Sequence, residues 1–295
     1  MTNLLPLPRP LRLAAPFLLL AGALGSSIHA DDTTTAATKV LETEGLVTFW
    51  TFSEEAGTPR RGLGPHPAEL KEAAGAVERA GEGVFGPHSL RLRSGQWLQV
   101  PRKELGPLDI HGPQAQVSLL VWLKREAKNF WQSLAGVWDE THAKRQYMLF
   151  LNARAKTDHR SMEREPCANL VHGHISSVGG PTPGFEVCRT YASGGAEIGF
   201  EDWHLLALTY DGAFIRVYVD GVLDEAEPFN PFPYGEGIFD GGEDGAPFTV
   251  GANHVAGIEN NNRFSGWIAG IAVFSRALDE SEMKSIAAAT LPRDW

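Results

Sequence analysis

The stretch WHLLALTYDGAFIRVYVDGVLDEA, residues 203–226, is the strongest local indication of the fold. Two runs rich in β-branched and aromatic residues flank Asp211-Gly212, and Asp220-Gly221 repeats the dipeptide further along. An Asp-Gly pair between such runs favours a two-residue hairpin turn, because both positions tolerate a positive φ. The stretch therefore predicts antiparallel strands joined by tight turns.

Similar short runs occur elsewhere in the chain and are separated by Gly, Pro and Asp. They lie at 43–52, 89–101, 117–126, 146–154 and 247–278. Many strands with few helices predict one all-β domain, an antiparallel sandwich or barrel.

Only two segments have helical character. Residues 71–81 contain helix formers but also Gly75, whereas 279–289 begins with Asp279 and Glu282 in the spacing of a capping box. We therefore expect one or two short helices.

The amino terminus has the composition of an export signal. Arg9 and Arg12 precede an apolar run at 13–24 that is too short to span a bilayer, and the small residue Ala30 follows. The expected location is therefore secreted or periplasmic, with an uncleaved anchor as the alternative because Ile28 is unusual near a cleavage point.

The domain organisation follows from these signals. We expect a signal peptide at 1–30, a flexible lead at 31–42, and one domain at 43–290. No later segment approaches 18 uninterrupted apolar residues, so we expect no transmembrane segment in the mature chain.

The chain is acidic, with 36 Asp and Glu against 26 Lys and Arg and a net charge of −10. This charge repels nucleic acid and anionic membranes, which we exclude as expected partners. It also disfavours strongly anionic polymers, unless a local basic cleft exists.

Cys167 and Cys188 are the only cysteines in the sequence. In an exported protein they predict a disulfide that closes a 22-residue segment. The absence of a second thiol pair argues against a zinc–thiolate site.

Several separated blocks carry a family resemblance. Residues 203–226, followed by FTVGAN (248–253) and FSGWIAGIAVFSRALDESEM (264–283), resemble the laminin-G-like or concanavalin A-like lectin/glucanase superfamily. The blocks at 45–57, 83–101 and 117–126 fit it in the same order. The resemblance implies an antiparallel jelly-roll β-sandwich, but no single activity, because lectins, adhesion modules, hydrolases and lyases share this fold.

The sequence departs from the family where structural calcium is usually held. Ala269 replaces an expected Asp, and TPRRGLGPHPAEL (58–70) replaces an Asp-Ser-Ser-Gly loop. Calcium needs six or more oxygen ligands, so a structural calcium is only one possibility. Its candidate donors are EDGA (243–246) and ENNNR (259–263).

Residues 153–200 form an insertion longer than the plain fold requires. Within it, NLVHGHISSVGG (169–180) puts His172 and His174 on one face of a strand, because the side-chain period is two. The pair could bind a metal if His159, Glu163 or Glu186 supplied a third ligand, or could form the polar face of a half-buried strand.

The same histidines could instead serve acid–base chemistry on an acidic polysaccharide. A lyase needs a base and a group that neutralises the uronate, which His172, His174, Tyr147 and Arg145 could supply on the concave sheet. The Glu-x-Asp-x-x-Glu run typical of one retaining-glycosidase type is absent, which argues against that mechanism.

Binding without chemistry is the favoured hypothesis. Aromatic rings can stack on sugars, and an aromatic loop at 229–242 borders the expected groove. The predicted ligand contacts are Phe232, Tyr234, Trp138, Arg160 and Tyr191. The sequence thus predicts a carbohydrate-binding protein with a glycan partner; a polysaccharide lyase and a non-catalytic adhesion or structural domain with a protein partner are the alternatives.

Overall fold

A computed structural model describes residues 30–93, 95–127, 131–158, 160–253 and 262–291. The expected signal peptide therefore lies outside the described residues, apart from Ala30. None of the helices in these ranges has the length and apolarity needed to cross a membrane.

Seventeen β-strands occur in the described ranges, and most are short. They are β1 Leu46–Trp50, β2 Arg60–Arg61, β3 Glu69–Ala74, β4 Glu78–Ala80, β5 Ser89–Leu92, β6 Trp97–Val100, β7 Val117–Arg125, β8 Trp131–Asp139, β9 Lys144–Arg154, β10 Cys167–Ile175, β11 Tyr191–Glu197, β12 His204–Tyr210, β13 Phe214–Val219, β14 Val222–Leu223, β15 Phe232–Pro233, β16 Phe248–Val250 and β17 Gly266–Phe274. The α-helices are α1 Ala30–Leu41 and α2 Glu280–Thr290, and 3₁₀ turns span Arg102–Glu104 and Gly106–Leu108.

The strands form two antiparallel sheets, as expected for a jelly-roll sandwich. The nine-stranded sheet has the order β14-β13-β12-β7-β17-β5-β4, with β1 paired to β17 and β15 paired to β13. The eight-stranded sheet has the order β11-β10-β9-β8-β16-β6-β3-β2. The main hydrophobic core lies between them, so each sheet has an inner face on this core and an outer face.

Hairpins form at both predicted positions, but only the second has the expected two-residue turn. Tyr210 pairs with Ile215 across the four residues 211–214, whereas Val219 pairs with Val222 across Asp220-Gly221. Gly212 (φ 90°) lies in the turn between β12 and β13, whereas Asp220 (φ 51°) and Gly221 (φ 83°) connect β13 to β14. These positive φ values are the conformations that Asp-Gly pairs favour in tight hairpins.

The insertion at 153–200 contributes strands to the eight-stranded sheet. It contains β10 and β11, and β10 pairs along its length with β9. At Gly173 a Cβ atom would lie 2.5 Å from Leu208 Cδ1 of the opposite sheet, so this glycine allows the two sheets to approach closely.

Helices cover the outer face of the nine-stranded sheet. Ala36 and Val40 of α1 and Met283 and Ile286 of α2 pack in one cluster with Trp122 of β7. The predicted capping box at the start of α2 is confirmed: the Glu282 N–H donates to Asp279 Oδ1 at 2.8 Å, and the Asp279 N–H donates to Glu282 Oε2 at 3.0 Å.

Two local predictions were wrong. Residues 71–81 belong to β3 and β4 rather than a helix, because Gly75 takes a φ of 71° between them and each strand finds a sheet partner. The expected flexible lead at 31–42 is largely α1, because Ala36 and Val40 bury their side chains against the sheet.

The predicted disulfide was also wrong, since Cys167 and Cys188 are not bonded to each other. Cys167 begins β10, whereas Cys188 lies beside the other end of that strand, where the Ile175 N–H donates to Thr190 O at 3.2 Å. Eight residues of strand span about 26 Å. A disulfide requires Cα atoms within about 7 Å.

Candidate functional site

The outer face of the eight-stranded sheet carries the histidines singled out from the sequence. Along β10, Val171 and Ile175 face the main core, so His172 and His174 point outward by alternation. Their cross-strand neighbours include Phe150 on β9 and Tyr191 on β11.

Aromatic rings surround His174 on this face. The Tyr191 ring stacks on its imidazole at 4.7 Å between centroids, and the Phe150 ring meets it edge-on at 5.0 Å. Trp138 and Trp131 lie at 5.6 and 5.9 Å. The imidazole is therefore held rigidly at the base of an aromatic cluster.

A cleft of about 350 Å³ opens above this cluster. Its apolar wall consists of Trp131, Phe150, Val187 and Cys188. Its polar groups are Glu140, Arg145, His174, Glu186, Asn253 and Asn262. The cleft thus combines aromatic rings with both donors and acceptors, the composition typical of small-ligand sites.

Arg145 and Glu140 form a fixed polar pair on the rim. Arg145 Nε donates to Glu140 Oε2 at 2.7 Å, and Nη1 donates to Gly179 O at 3.1 Å. The Trp138 indole N–H donates to Glu140 Oε1 at 2.9 Å. Both Glu140 oxygens accept hydrogen bonds, which orients the carboxylate at the cleft.

His172 is a neutral, buried group beside the cleft. Arg164 Nη2 donates to Ser193 Oγ at 2.8 Å, so the Ser193 hydroxyl donates to His172 Nε2, also at 2.8 Å. Burial, followed by the charges of His174 and Arg164, lowers the pKa of His172 well below its ordinary value.

Asp158 connects this histidine layer to two arginines. It accepts from Arg160 Nε at 2.9 Å, from Arg164 Nη1 at 3.0 Å and from the Tyr191 hydroxyl at 2.8 Å. Burial alone would raise the pKa of Asp158, but hydrogen bonds from Arg160, its charge and the Tyr191 hydroxyl lower it overall. The Tyr191 ring is thereby locked against the histidines.

Tyr147 does not belong to this site, so its predicted catalytic role was wrong. Its ring packs in the main core, and its hydroxyl donates to Leu108 O at 2.7 Å. Burial, with the charge of Asp109, raises the pKa of this phenol well above its ordinary range. Of the four predicted catalytic residues, His174 and Arg145 line the cleft, and His172 lies beside it.

The five residues predicted to contact a ligand lie behind the cleft or away from it. Trp138 and Tyr191 are buried behind His174, and the Arg160 guanidinium lies 4.4 Å from the Tyr191 ring and 4.5 Å from the Phe232 ring. Tyr234 accepts from the Ser177 N–H at 2.8 Å and packs on the main core. In the described part of the chain, none of these five residues is among those that line the cleft.

Several residues that line the cleft were not predicted from the sequence, among them Trp131, Phe150 and Asn253. Phe150 lies on the outer face of β9, since Leu149 and Leu151 face the core, but both faces of this strand are apolar, so the sequence did not distinguish it. Trp131 begins β8. Asn253 and Asn262 lie in later segments that the fold brings to the cleft, and no local pattern reveals such a meeting.

The metal hypotheses gain no support from the described part of the chain. There, no three His, Cys, Asp or Glu side chains form a group that could hold a metal ion. His159 and part of the calcium candidate 259–263 lie outside the described residues.

A family model described as the concanavalin A-like lectin/glucanases superfamily matches residues 113–284, more than half of the chain. None of the curated proteins matches the sequence.

Solved structures share the fold. Domain 4 of AbnA, a GH43 extracellular arabinanase from Geobacillus stearothermophilus solved with arabinotriose, has 18% identity and a TM-score of 0.50 over 82% of this chain and 98% of its own. The binding domain of botulinum neurotoxin serotype G has 10% identity and a TM-score of 0.52 over 82% of this chain and 50% of its own.

A botulinum neurotoxin type C structure, whose cell entry is described as dependent on two ganglioside molecules, has 10% identity and a TM-score of 0.51. It is covered over 53% of its length, against 87% of this chain. This chain thus spans about half of each toxin structure, and the likeness at these identities is one of fold.

Proposed function

We propose that this chain, which belongs to the concanavalin A-like lectin/glucanases superfamily, binds a glycan in the cleft on the outer face of its eight-stranded sheet. The observation that carries the proposal is that the half-buried Trp131, packed edge-on against the buried Phe150, shares one open cleft with fixed polar groups. A sugar ring presents an apolar C–H face and a rim of hydroxyls, which this combination complements.

The polar groups suit hydroxyl recognition. Glu140 and Glu186 accept hydrogen bonds, Arg145 donates them, and the amides of Asn253 and Asn262 can do both. Because Arg145 already holds Glu140 in place, a ligand would meet a preorganised pair.

The structural neighbours add independent support. The arabinanase domain was solved with arabinotriose, and cell entry of the type C toxin is described as dependent on two ganglioside molecules. Both ligands contain sugars.

Acid–base catalysis at this cleft is less well supported than binding. Tyr147 is in the core, the Tyr191 hydroxyl already donates to Asp158, and burial raises the pKa of Tyr191. His172 uses its Nε2 to accept from Ser193. A glycan that is cleaved with formation of unsaturated, ultraviolet-absorbing products would contradict the binding assignment.

The test is a screen of the purified protein on an array of oligosaccharides, followed by titration calorimetry with the strongest binder. Trp131→Ala is expected to lower the affinity about tenfold, because it removes the stacking wall. The matched control is Trp267→Ala, since Trp267 lies on the other sheet between Arg91 and Lys124. Equal losses in both variants, or no glycan bound at all, would refute the assignment.

Export is a separate proposal that rests on the sequence alone. Cleavage after Ala30 would leave α1 intact from Asp31 onward. Sequencing the amino terminus of protein recovered from the cell exterior or periplasm is expected to begin at Asp31. Protein that keeps Met1 or stays in the cytoplasm would contradict the proposal.

A further inference from the structure

We propose that the glycan site continues into a second, more open cleft, where Arg189 binds an anionic substituent of the sugar chain, a carboxylate or a sulfate. This inference rests on the proposed function and adds the chemical class of the ligand.

The two clefts adjoin. The second has a volume of about 670 Å³ and is lined by Gly184, Phe185, Glu186, Val187 and Arg189. Glu186 and Val187 also line the first cleft, so the two clefts share part of their walls. A linked series of sugar units fits such an arrangement better than a single ring does.

The loop that forms the second cleft is held in a defined shape. The Phe185 N–H donates to Thr182 O at 2.9 Å, and the Thr182 N–H donates to Val187 O at 3.2 Å. The Arg189 N–H donates to Thr182 Oγ1 at 2.8 Å. The backbone that carries Arg189 is therefore anchored on both sides of the cleft.

The Arg189 guanidinium stacks on an aromatic ring but has no carboxylate partner among the described residues. Its central carbon lies 3.8 Å from the centre of the Phe185 ring, which is 46% exposed. No carboxylate of the described residues forms an ion pair with it, and its buried Nε has no hydrogen-bond partner there. In contrast, Arg145 and Arg160 each pair with a carboxylate.

A stacked guanidinium with unused donors matches an anion that can accept two parallel hydrogen bonds. Carboxylates and sulfates have this geometry, and the aromatic ring below fixes the plane of the guanidinium. Because the whole chain carries a charge of −10, the attraction is local. The expected ligand therefore bears sparse anionic groups rather than a dense array of them.

Glu186 limits where the anionic group of the ligand can lie. It is the one carboxylate that lines the second cleft as described, and it forms no ion pair with Arg189. Its negative charge opposes an anion placed near the junction of the two clefts, so the anionic group must lie on the Arg189 side. Neutralising Glu186 should thus have the opposite effect to neutralising Arg189.

The experiment uses an array that carries neutral oligosaccharides beside uronate-bearing and sulfate-bearing counterparts, including a galacturonic acid trimer and the galactose trimer that matches it without carboxylates. Wild type, Arg189→Gln and Glu186→Gln are then titrated with the strongest binder of each class. Arg61→Gln is the control, because Arg61 is exposed on β2, at the opposite edge of the same sheet. Equal melting temperatures confirm that each variant is folded.

We expect a uronate-bearing or sulfate-bearing ligand to bind more tightly than its neutral counterpart, and the two arms of the array identify which anion is preferred. Arg189→Gln should lower that affinity about tenfold and leave the neutral ligand unaffected, whereas Glu186→Gln should raise it. Arg61→Gln should change neither.

Each other outcome has a defined meaning. Tight binding of neutral sugars alone, or anionic binding that survives Arg189→Gln, overturns the inference but leaves the proposed function intact. Binding of no glycan in any class removes the proposed function and this inference with it.

Discussion

The two sheets of this protein differ in what lies on their outer faces. On the nine-stranded sheet, α1 and α2 cover Trp122 and its apolar neighbours. On the eight-stranded sheet, the outward side chains include His172 and His174, with charged groups packed behind aromatic rings. One outer face is therefore a second hydrophobic core, and the other is a polar network that borders an open cleft.

The difference shows where a ligand can bind. Helices on the first face occupy the surface that a ligand would need, whereas the second face buries its polar groups without filling the cleft. The covered face should contribute mainly to stability. The open face costs stability through its buried charges and should determine binding.

The largest expected effect comes from the covered face. The Trp122 side chain is fully buried, its ring lies 4.9 Å from the Phe85 ring, and its indole N–H donates to Thr290 Oγ1 at 2.8 Å. Trp122→Ala should lower the free energy of unfolding by about 4 kcal/mol. Urea denaturation measures this loss, and glycan affinity of the folded fraction should be unchanged. A loss below about 1 kcal/mol would mean that the helices do not pack as described.

The next effect concerns the charge network of the open face. Asp158→Asn removes the carboxylate shared by Arg164, which is buried, and Arg160, which is half-buried. We expect a loss of about 3 kcal/mol in urea denaturation. Asp211→Asn is the control, because Asp211 pairs with Arg216 near the surface and should cost less than about 1 kcal/mol. Equal costs at the two positions would argue against a special role for the buried network.

A smaller effect should appear with pH. The pKa of His172 is lowered in the folded protein, so the unfolded chain binds a proton that the folded chain does not. Stability should therefore fall as the pH drops below the ordinary histidine pKa of 6.5, by about 1.4 kcal/mol per pH unit at most.

Unfolding measured between about pH 7 and pH 5 tests this, and His172→Gln should flatten the slope. Asp158 acts in another window, since its lowered pKa makes it stabilising above its ordinary value of 3.8 and that stability is lost only in stronger acid. An unchanged slope in His172→Gln would show that other groups carry the pH dependence.

The smallest effect is expected at the thiols. Because Cys167 and Cys188 lie near opposite ends of β10, Cys167→Ser should change the free energy of unfolding by less than about 0.5 kcal/mol. When the protein is unfolded without reductant and treated with an alkylating reagent, mass spectrometry should find both cysteines alkylated. A disulfide-linked peptide would instead require the 167–188 segment to fold differently.

The sequence predicted those features that depend on neighbours along the chain. Asp211-Gly212 specified its hairpin, and Asp279 with Glu282 specified the start of α2, because turn and cap chemistry are local. The helix predicted at 71–81 does not form, because sheet pairing overrode the local helix propensity.

The candidate site was only partly predictable. Both faces of β9 are apolar and buried, with Tyr147 and Leu149 on one and Met148 and Phe150 on the other, so alternation alone could not show which face met the main core. The disulfide prediction failed for a similar reason, because the number of residues between two cysteines does not give the distance between them in the fold. Asn253 and Asn262 reach the cleft through tertiary packing alone.

Tryptophans lie on the outer faces of both sheets, so they can show directly which face binds the glycan. The measurement is a ¹⁵N–¹H spectrum of the indole N–H groups, recorded during titration with the strongest glycan from the array. Binding on the open face predicts that the Trp131 and Trp138 signals shift, whereas those of Trp122 and Trp267 stay in place. Shifts at Trp122 or Trp267 with none at Trp131 would mean that the glycan does not bind on the open face.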